Sequence, residues 1–436
     1  MLSMLMGVFS VVVLMSVWGE SLVWVMLMSG LMVMSSSDSL VWKAGQAGEL
    51  DYIGWSLSLL SFWVVFLAIL GSKTIKKVSS LRGVFISLAM SLLGMFLVSF
   101  YVSDFMFFYL GFEGCLIPIF FMILGWGYQP ERAQAGIYML FYTLFGSLPL
   151  FFLIMSLYTK TSGYMYTSNQ VNEVYFFIFL VGAFLVKFPM YSTHLWLLKA
   201  HVEAPVAGSM ILAGVMLKLG GYGLIRFLPV CPVKPLLLVE MIICLSLWGG
   251  LLLSLSCLRQ MDMKLLIASS SVVHMGLCIV GLLALSDWGF KGAMVVMIGH
   301  GLCSSGLFYL ANVVYERSHS RSMAVSKGFL TLMPSMCLWW FILLGVNMAS
   351  PPSLNLLGEI MLISMLVSWS KCTVGVVMAM SFFSAGYSLY LFSLSQHGVY
   401  LNSKSGFHSG GMLEYLVCAG HWVPLNVVIL CVVWLV

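Results

Sequence analysis

Apolar residues in this chain run in long uninterrupted stretches rather than alternating with polar positions at a strand or surface-helix period. Stretches such as FFIFLVGAFLVKFPMYSTHLWLL and GSMILAGVMLKLGGYGLI are apolar on nearly every face, the pattern of a helix with no aqueous side. A helix needs about 20 such residues to cross the hydrocarbon layer of a bilayer. Dividing the chain at its polar breaks gives about fourteen candidate crossings, over residues 1–19, 21–36, 52–71, 83–102, 104–125, 134–157, 174–197, 207–228, 236–257, 263–284, 291–313, 328–370, 372–394 and 419–435. The stretch at 328–370 is too long for one crossing and must be broken. The polar intervals of any size, 36–51, 158–173 and 395–417, are loops. The expected fold is therefore all-α, a polytopic membrane protein.

Composition agrees, with 61% hydrophobic and 8% charged residues and a mean hydropathy of +1.05, values that place the chain in a bilayer rather than in water. The net charge of +5 matters less than where the basic residues fall. Loops after odd-numbered crossings hold roughly twelve Lys and Arg and the opposite loops roughly six. Among the former are Lys73, Lys76, Lys77, Arg82, Arg132, Arg259, Lys264, Arg317, Arg321 and Lys327. This excess places both termini on the side away from the biosynthetic compartment. The first segment lacks a basic flank and a small-residue cleavage site and reads as a mature helix.

The ten cysteines are scattered singly, with no CxxC pair and no histidine at metal-ligand spacing, so they read as small apolar residues. No bound redox cofactor and no metal are expected. The LGGYG run at 219–223 lacks the rest of a phosphate-binding signature and reads as a site of close helix contact.

Two crossings carry helix-breaking residues. Pro189 interrupts the seventh just after Lys187, and Ser350-Pro351-Pro352 interrupts the twelfth just before Glu359. Paired interruptions at matching places in two halves of a transporter point to inverted repeats and to the transport site. Their five-helix spacing fits one repeat of helices 4–8 (residues 80–228) and a second of helices 9–13 (229–395), preceded by helices 1–3 (1–79) and followed by a loop and helix 14 (396–436).

Chemistry enters with the charges inside these crossings. A lysine at the bilayer centre costs roughly 2.5–3.5 kcal/mol on insertion scales, so such residues mark a bundle interior or an ion path. Lys187, Lys218, Glu113 and Glu359 all fall within apolar stretches. If Glu113 faces Lys187, the two hold each other charged; drawn apart in a medium of low dielectric, each favours its neutral form. His194, His274 and His300 are further titratable stations, with serines beside His274 and His300. Paired structural charges, or lysines that snorkel to the interface, are the plain alternative for any one of them.

The segment FLVKFPMYSTHLWLLKAHVEAPVAGSMILAGVMLKLGGYG at 185–223 resembles the mitochondrial NADH-ubiquinone oxidoreductase chain 4 family. The resemblance continues through GFEGCLIP, GYQPERAQAGIYMLFYTLFGSLPL, CLRQMDMKLLIASSSVVHMG, IGHGLCSSGLFYLANVVYERSHSR and PPSLNLLGEI, covering roughly residues 80–395. It implies a proton-translocating subunit in the membrane arm of respiratory complex I. In that role Glu113 tunes Lys187, Lys218 is the central relay, Glu359 is the exit-side acid, and His274, His300 and His194 are the candidates to carry protons among them. His201 and Glu203 would shape the break. The same resemblance implies neighbouring antiporter-like chains and lipid as partners, no nucleic acid, and a multi-pass place in the mitochondrial inner membrane. NADH, FMN, iron-sulfur clusters and ubiquinone would then sit on other subunits. Leu198 stands where the family usually has proline, and Ser192 and Thr193 also depart from its pattern. An Mrp-type cation/proton antiporter subunit and a non-pumping scaffold of the membrane arm are the competing readings.

Overall fold

The computed structural model describes residues 18–34, 42–43, 49–78, 81–160, 174–230, 236–399 and 409–430. The candidate crossing at 1–19 and Cys231 therefore lie wholly or almost wholly outside the described residues, as do most of the polar intervals at 36–51 and 158–173 and the centre of 395–417. What is described is helical apart from a two-residue antiparallel pairing of Trp42–Lys43 with Glu49–Leu50. Ten helices among the described residues are long and apolar enough to cross a membrane, and four shorter apolar helices accompany them.

The chain divides into two compact units, one made of the residues up to Pro189 with 195–240, the other chiefly of 241–434 with 190–194. In the first, the most apolar 18-residue window of Val206–Val230 is buried throughout, whereas only 28% of that of Arg132–Tyr158 is. Its neighbours are the helices Tyr52–Gly71 and Val174–Lys187. In the second, Met263–Leu283 and Asp287–Ser318 are the buried pair, packed against Leu354–Trp369. The outer helices display Phe141, Phe145, Phe152, Phe382 and Met378. Such a surface would be a liability in water, but hydrocarbon solvates it as well as a protein core would.

Several helices are irregular, and each irregularity has a local cause. Between Phe105–Gly114 and Leu116–Trp126 the helix hitches at Cys115, because Pro118 has no N–H for the carbonyl four residues back, that of Gly114, and its ring crowds it. The seventh crossing stops at Lys187 and resumes as Leu195–Glu203, which carries it past the end predicted at 197. The indole of Trp196 bridges the gap, its Nε1 donating to the Val186 carbonyl at 2.9 Å. Leu198 lies inside the resumed helix, so the missing proline leaves that helix intact.

The stretch 328–370 is broken as its length requires, into Phe329–Leu332, Pro334–Asn347 and Leu354–Trp369. Ala349 takes a left-handed φ of 58° there, and Ser353 caps the next helix by accepting from Leu356 N at 3.4 Å. Asn355 Nδ2 donates across the break to the Val346 carbonyl at 3.1 Å. The last helix, Met412–Leu430, begins seven residues before the predicted 419. Glu414 made its first turn read as loop, and an ion pair with Arg317 at 2.7 Å accommodates that charge.

The glycines of 219–223 are packing residues. A Cβ on Gly220 would stand 2.7 Å from the backbone nitrogen of Phe188, and one on Gly223 2.1 Å from the ring of Phe184. Gly220→Ala is therefore expected to push the Val206–Val230 span off the broken helix and to destabilise the chain by about 1–3 kcal/mol. Gly182→Ala, whose added methyl meets nothing within 4 Å, should be neutral. Thermal unfolding in detergent of the two variants side by side checks this.

Candidate proton-relay site

The first unit holds three of the predicted charges. Lys187 is the last residue of Val174–Lys187, so its side chain leaves the helix where the backbone breaks. Nζ lies 3.2 Å from Glu113 Oε1, with side-chain exposures of 3% and 15%. It also donates to the Phe112 carbonyl and stands 3.2 Å over the centroid of the Phe112 ring. A carboxylate, a carbonyl and an aromatic face together replace the water an ammonium loses on burial. The Phe112 carbonyl lies in the hitched turn before Pro118 and also accepts from Cys115 Sγ at 3.0 Å. The proline that distorts the helix thus shapes the lysine's site.

Lys218 is fully buried, and its Nζ donates to the Ala213 carbonyl at 2.6 Å. That carbonyl belongs to a π-helical turn, Leu212–Met216, inserted within Val206–Val230. A π turn widens the helix and turns its carbonyls off axis, a feature concentrated at functional sites. The helix carrying Lys218 packs directly on the one that ends in Lys187. His201 and Glu203, both buried, lie in the helix resumed after the break.

The second unit holds a different arrangement. His274 Nδ1 lies 3.2 Å from Glu359 Oε1, with exposures of 3% and 13%, and its Nε2 lies 3.4 Å from the Tyr387 hydroxyl. With Nδ1–H donating to the carboxylate, Nε2 is the acceptor for the tyrosine, an assignment made from the partners' chemistry. The His300 ring is 5.6 Å from that of His274, centroid to centroid. Glu359 and two of the predicted histidines are thus brought together.

His194 is buried and held locally. Its Nδ1–H donates to the Tyr191 carbonyl, and its ring stacks on that of Tyr191 at 5.4 Å. Gly249 leaves room for the Tyr191 side chain, which a Cβ there would meet at 2.1 Å.

Sequence reasoning missed four participants. Tyr387 sits in an unremarkable apolar stretch, and nothing in its neighbourhood signals that it faces His274. The π turn has no composition signature at all. Arg226 falls at the end of a predicted crossing, and it pairs with Asp51 at 2.6 Å while lying 4.9 Å from the Tyr222 ring; its partner lies far upstream, so nothing near it in the sequence pointed to the pair. Lys264, counted as a loop residue, is in fact buried in the first turn of Met263–Leu283. Among the described residues no group of three or more His, Cys, Asp or Glu side chains is placed to hold a metal ion.

The family described as NADH:quinone oxidoreductase/Mrp antiporter, TM, matches residues 102–384. The NADH-ubiquinone oxidoreductase chain 4 of Ceratitis capitata is 50% identical over 392 residues, 88% of each chain. That of Aedes aegypti is 50% identical over 396 residues, again 88% of each. In fold the chain is similar to one in respiratory complex I from Thermus thermophilus, with a TM-score of 0.87 at 21% identity, covering 97% of this chain and 94% of that one. It is also similar to a chain of the Mrp complex from a Dietzia species, with a TM-score of 0.85 at 17% identity over 98% of this chain and 49% of that one. With relatives at half identity over most of its length and a family match over more than half of it, the chain belongs to the NADH:quinone oxidoreductase/Mrp antiporter family, among the proteins named NADH-ubiquinone oxidoreductase chain 4.

Proposed function

We propose that this chain is a membrane-arm subunit of a respiratory NADH-ubiquinone oxidoreductase and translocates protons, coupled to electron transfer from NADH to ubiquinone in other subunits. The observation that carries this reading is the buried Lys187–Glu113 pair at a helix break, with the fully buried Lys218 on the helix packed beside it. NADH, FMN, iron-sulfur clusters and ubiquinone belong on those other subunits, and this chain contributes no redox centre. Its place is the mitochondrial inner membrane, beside other antiporter-like chains and lipid. On this reading the chain crosses fourteen times, as two inverted repeats over residues 80–228 and 229–395 between a preceding segment 1–79 and a following one 396–436. The 50% identity to chain 4 relatives favours this over an Mrp-type antiporter subunit.

The chemistry follows from the pair. Closed, the Glu113 carboxylate holds the Lys187 ammonium protonated. Opened, the ammonium loses its counter-charge in a poorly solvating interior and gives up its proton. Moving one charge against about 100 mV costs about 2.3 kcal/mol. A roughly fiftyfold fall in the lysine's proton affinity matches that, since each tenfold is about 1.36 kcal/mol. Losing a counter-ion from a buried pair changes energies by roughly 3–5 kcal/mol, so the gate is strong enough for the task. Lys218 takes the proton as the central relay, and Glu359, linked to His274 and His300, is the exit-side acid. His194, tied to its own turn, has the lesser part.

Two outcomes test the reading. In an assembled complex, Lys218→Ala should reduce the protons moved per electron in proteoliposomes while the complex keeps its subunits; a scaffold would leave both proton movement and quinone reduction unchanged. The single changes Glu113→Gln and Lys187→Met should each cost about 3–5 kcal/mol of stability by leaving one buried charge alone. The double change Glu113→Leu/Lys187→Met should recover most of that stability and none of the proton movement, as thermal unfolding and pumping assays on the same preparations would show.

A further inference from the structure

The relay just described leaves a buried histidine of the second unit unused. His421, on the last helix, is fully buried. Its Nδ1 lies 3.1 Å from Ser305 Oγ, and its Nε2 is enclosed without a hydrogen-bond partner among the described residues. Gly306 makes the approach possible, since even a Cβ there would stand 3.2 Å from His421 Cβ. The helix it approaches, Asp287–Ser318, is the one that carries His300.

The position on that helix is informative. Ser304 donates to the His300 carbonyl at 2.7 Å, and Ser305 lies about 7.5 Å along the axis from His300, a distance that one or two bridging waters span. Farther along, Tyr309 is buried on the same helix. Glu414 and Arg317 form the ion pair between these same two helices, at the end of Asp287–Ser318 that leads to Arg321 and Lys327. Hydroxyls and titratable groups therefore recur along one helix–helix seam from the buried histidines toward one face.

A packing histidine so completely buried would be expected to satisfy both ring nitrogens, because a buried unpaired polar atom costs about 1–3 kcal/mol. One nitrogen engaged with a hydroxyl and the other open is the arrangement a transfer residue needs. A proton accepted at Nε2 from a water gives an imidazolium, which releases its Nδ1 proton to Ser305 Oγ as that hydroxyl turns its own proton from the Gly301 carbonyl to the bridging water on the His300 side. Rotation or tautomer exchange then returns the ring, already neutral, to its starting tautomer.

We infer that His421 is a proton-carrying residue that connects His300 with the membrane face bearing the Arg317–Glu414 pair. This rests on the proton-translocation reading above, so the test includes Lys218→Ala as its reference. His421→Gln keeps an amide able to bond Ser305 and cannot carry a proton. In assembled complex reconstituted into proteoliposomes, its proton-per-electron ratio should fall to the level of Lys218→Ala, with subunit content unchanged. A wild-type ratio in His421→Gln beside a lowered ratio in Lys218→Ala overturns the role of His421 and leaves the wider reading standing. Wild-type ratios in both overturn the wider reading and this inference with it. If His421→Gln does not assemble, Ser305→Ala decides, because it removes one hydroxyl and almost no volume: the same fall supports the role of His421, and a wild-type ratio overturns it.

Discussion

An ammonium group inside a bilayer protein must find acceptors that belong to the protein, and regular helices have none to spare, since every carbonyl is already engaged with the amide four residues on. That conflict between a buried cation and a saturated backbone organises the first unit. Each of its two central lysines is placed beside a departure from regular α-helix: the hitch before Pro118 and the end of Val174–Lys187 for Lys187, the π turn at Leu212–Met216 for Lys218. The irregular backbone supplies the carbonyls of Phe112 and Ala213. The glycines at 220 and 223 then bring the two lysine-bearing helices close together.

The second unit solves a milder problem by milder means. A histidine can be buried neutral, so His274 needs only a partner for each ring nitrogen, and Glu359 and Tyr387 provide them. The break before Leu354 brings Glu359 into this group, and Asn355 ties the two sides of the break together. Gly299 and Gly358 remove the side chains that would keep Leu354–Trp369 from Asp287–Ser318: a Cβ on Gly299 would meet Asn355 Oδ1 at 2.3 Å, one on Gly358 the Val296 methyl at 2.5 Å. In both units, then, small residues set the distance and interrupted helices set the direction of the ionisable side chains.

Much of this is legible in the sequence because membrane helices obey a one-dimensional rule. Apolar length marks them, and the predicted 236–257 coincides with the observed Leu236–Cys257. Charge in an apolar run likewise marks Glu113, Lys187, Lys218 and Glu359 for attention without any knowledge of the fold, and proline marks the two breaks. What the sequence conceals is pairing in three dimensions. Nothing in SAGYSLYL says that Tyr387 faces a histidine 113 residues earlier. The π turn at Leu212–Met216 is equally hidden, since no residue type there marks it. Polar residues inside a genuine span produce the opposite error, as at Met412–Leu430, where Glu414 read as loop although Arg317 balances it within the bundle.

These two sources of legibility bear differently on function. Charge burial identifies which residues are costly, but cost alone does not separate a gate from a brace. The separation comes from the kind of site each charge occupies. Arg226 is clamped by Asp51 at 2.6 Å and lies against Tyr222; that geometry, near the end of its span, resembles a fastening of the segment around residue 51 onto the bundle. Lys187 instead sits at a helix terminus, where its backbone is free of the next turn and a small rotation changes its distance from Glu113. A charge on a regular helix can leave its partner only by moving the helix, whereas one at a break can leave by turning about a few backbone bonds. On the proposed reading, the position of the lysine at the interruption, more than its burial, is therefore what would let the pair open and close.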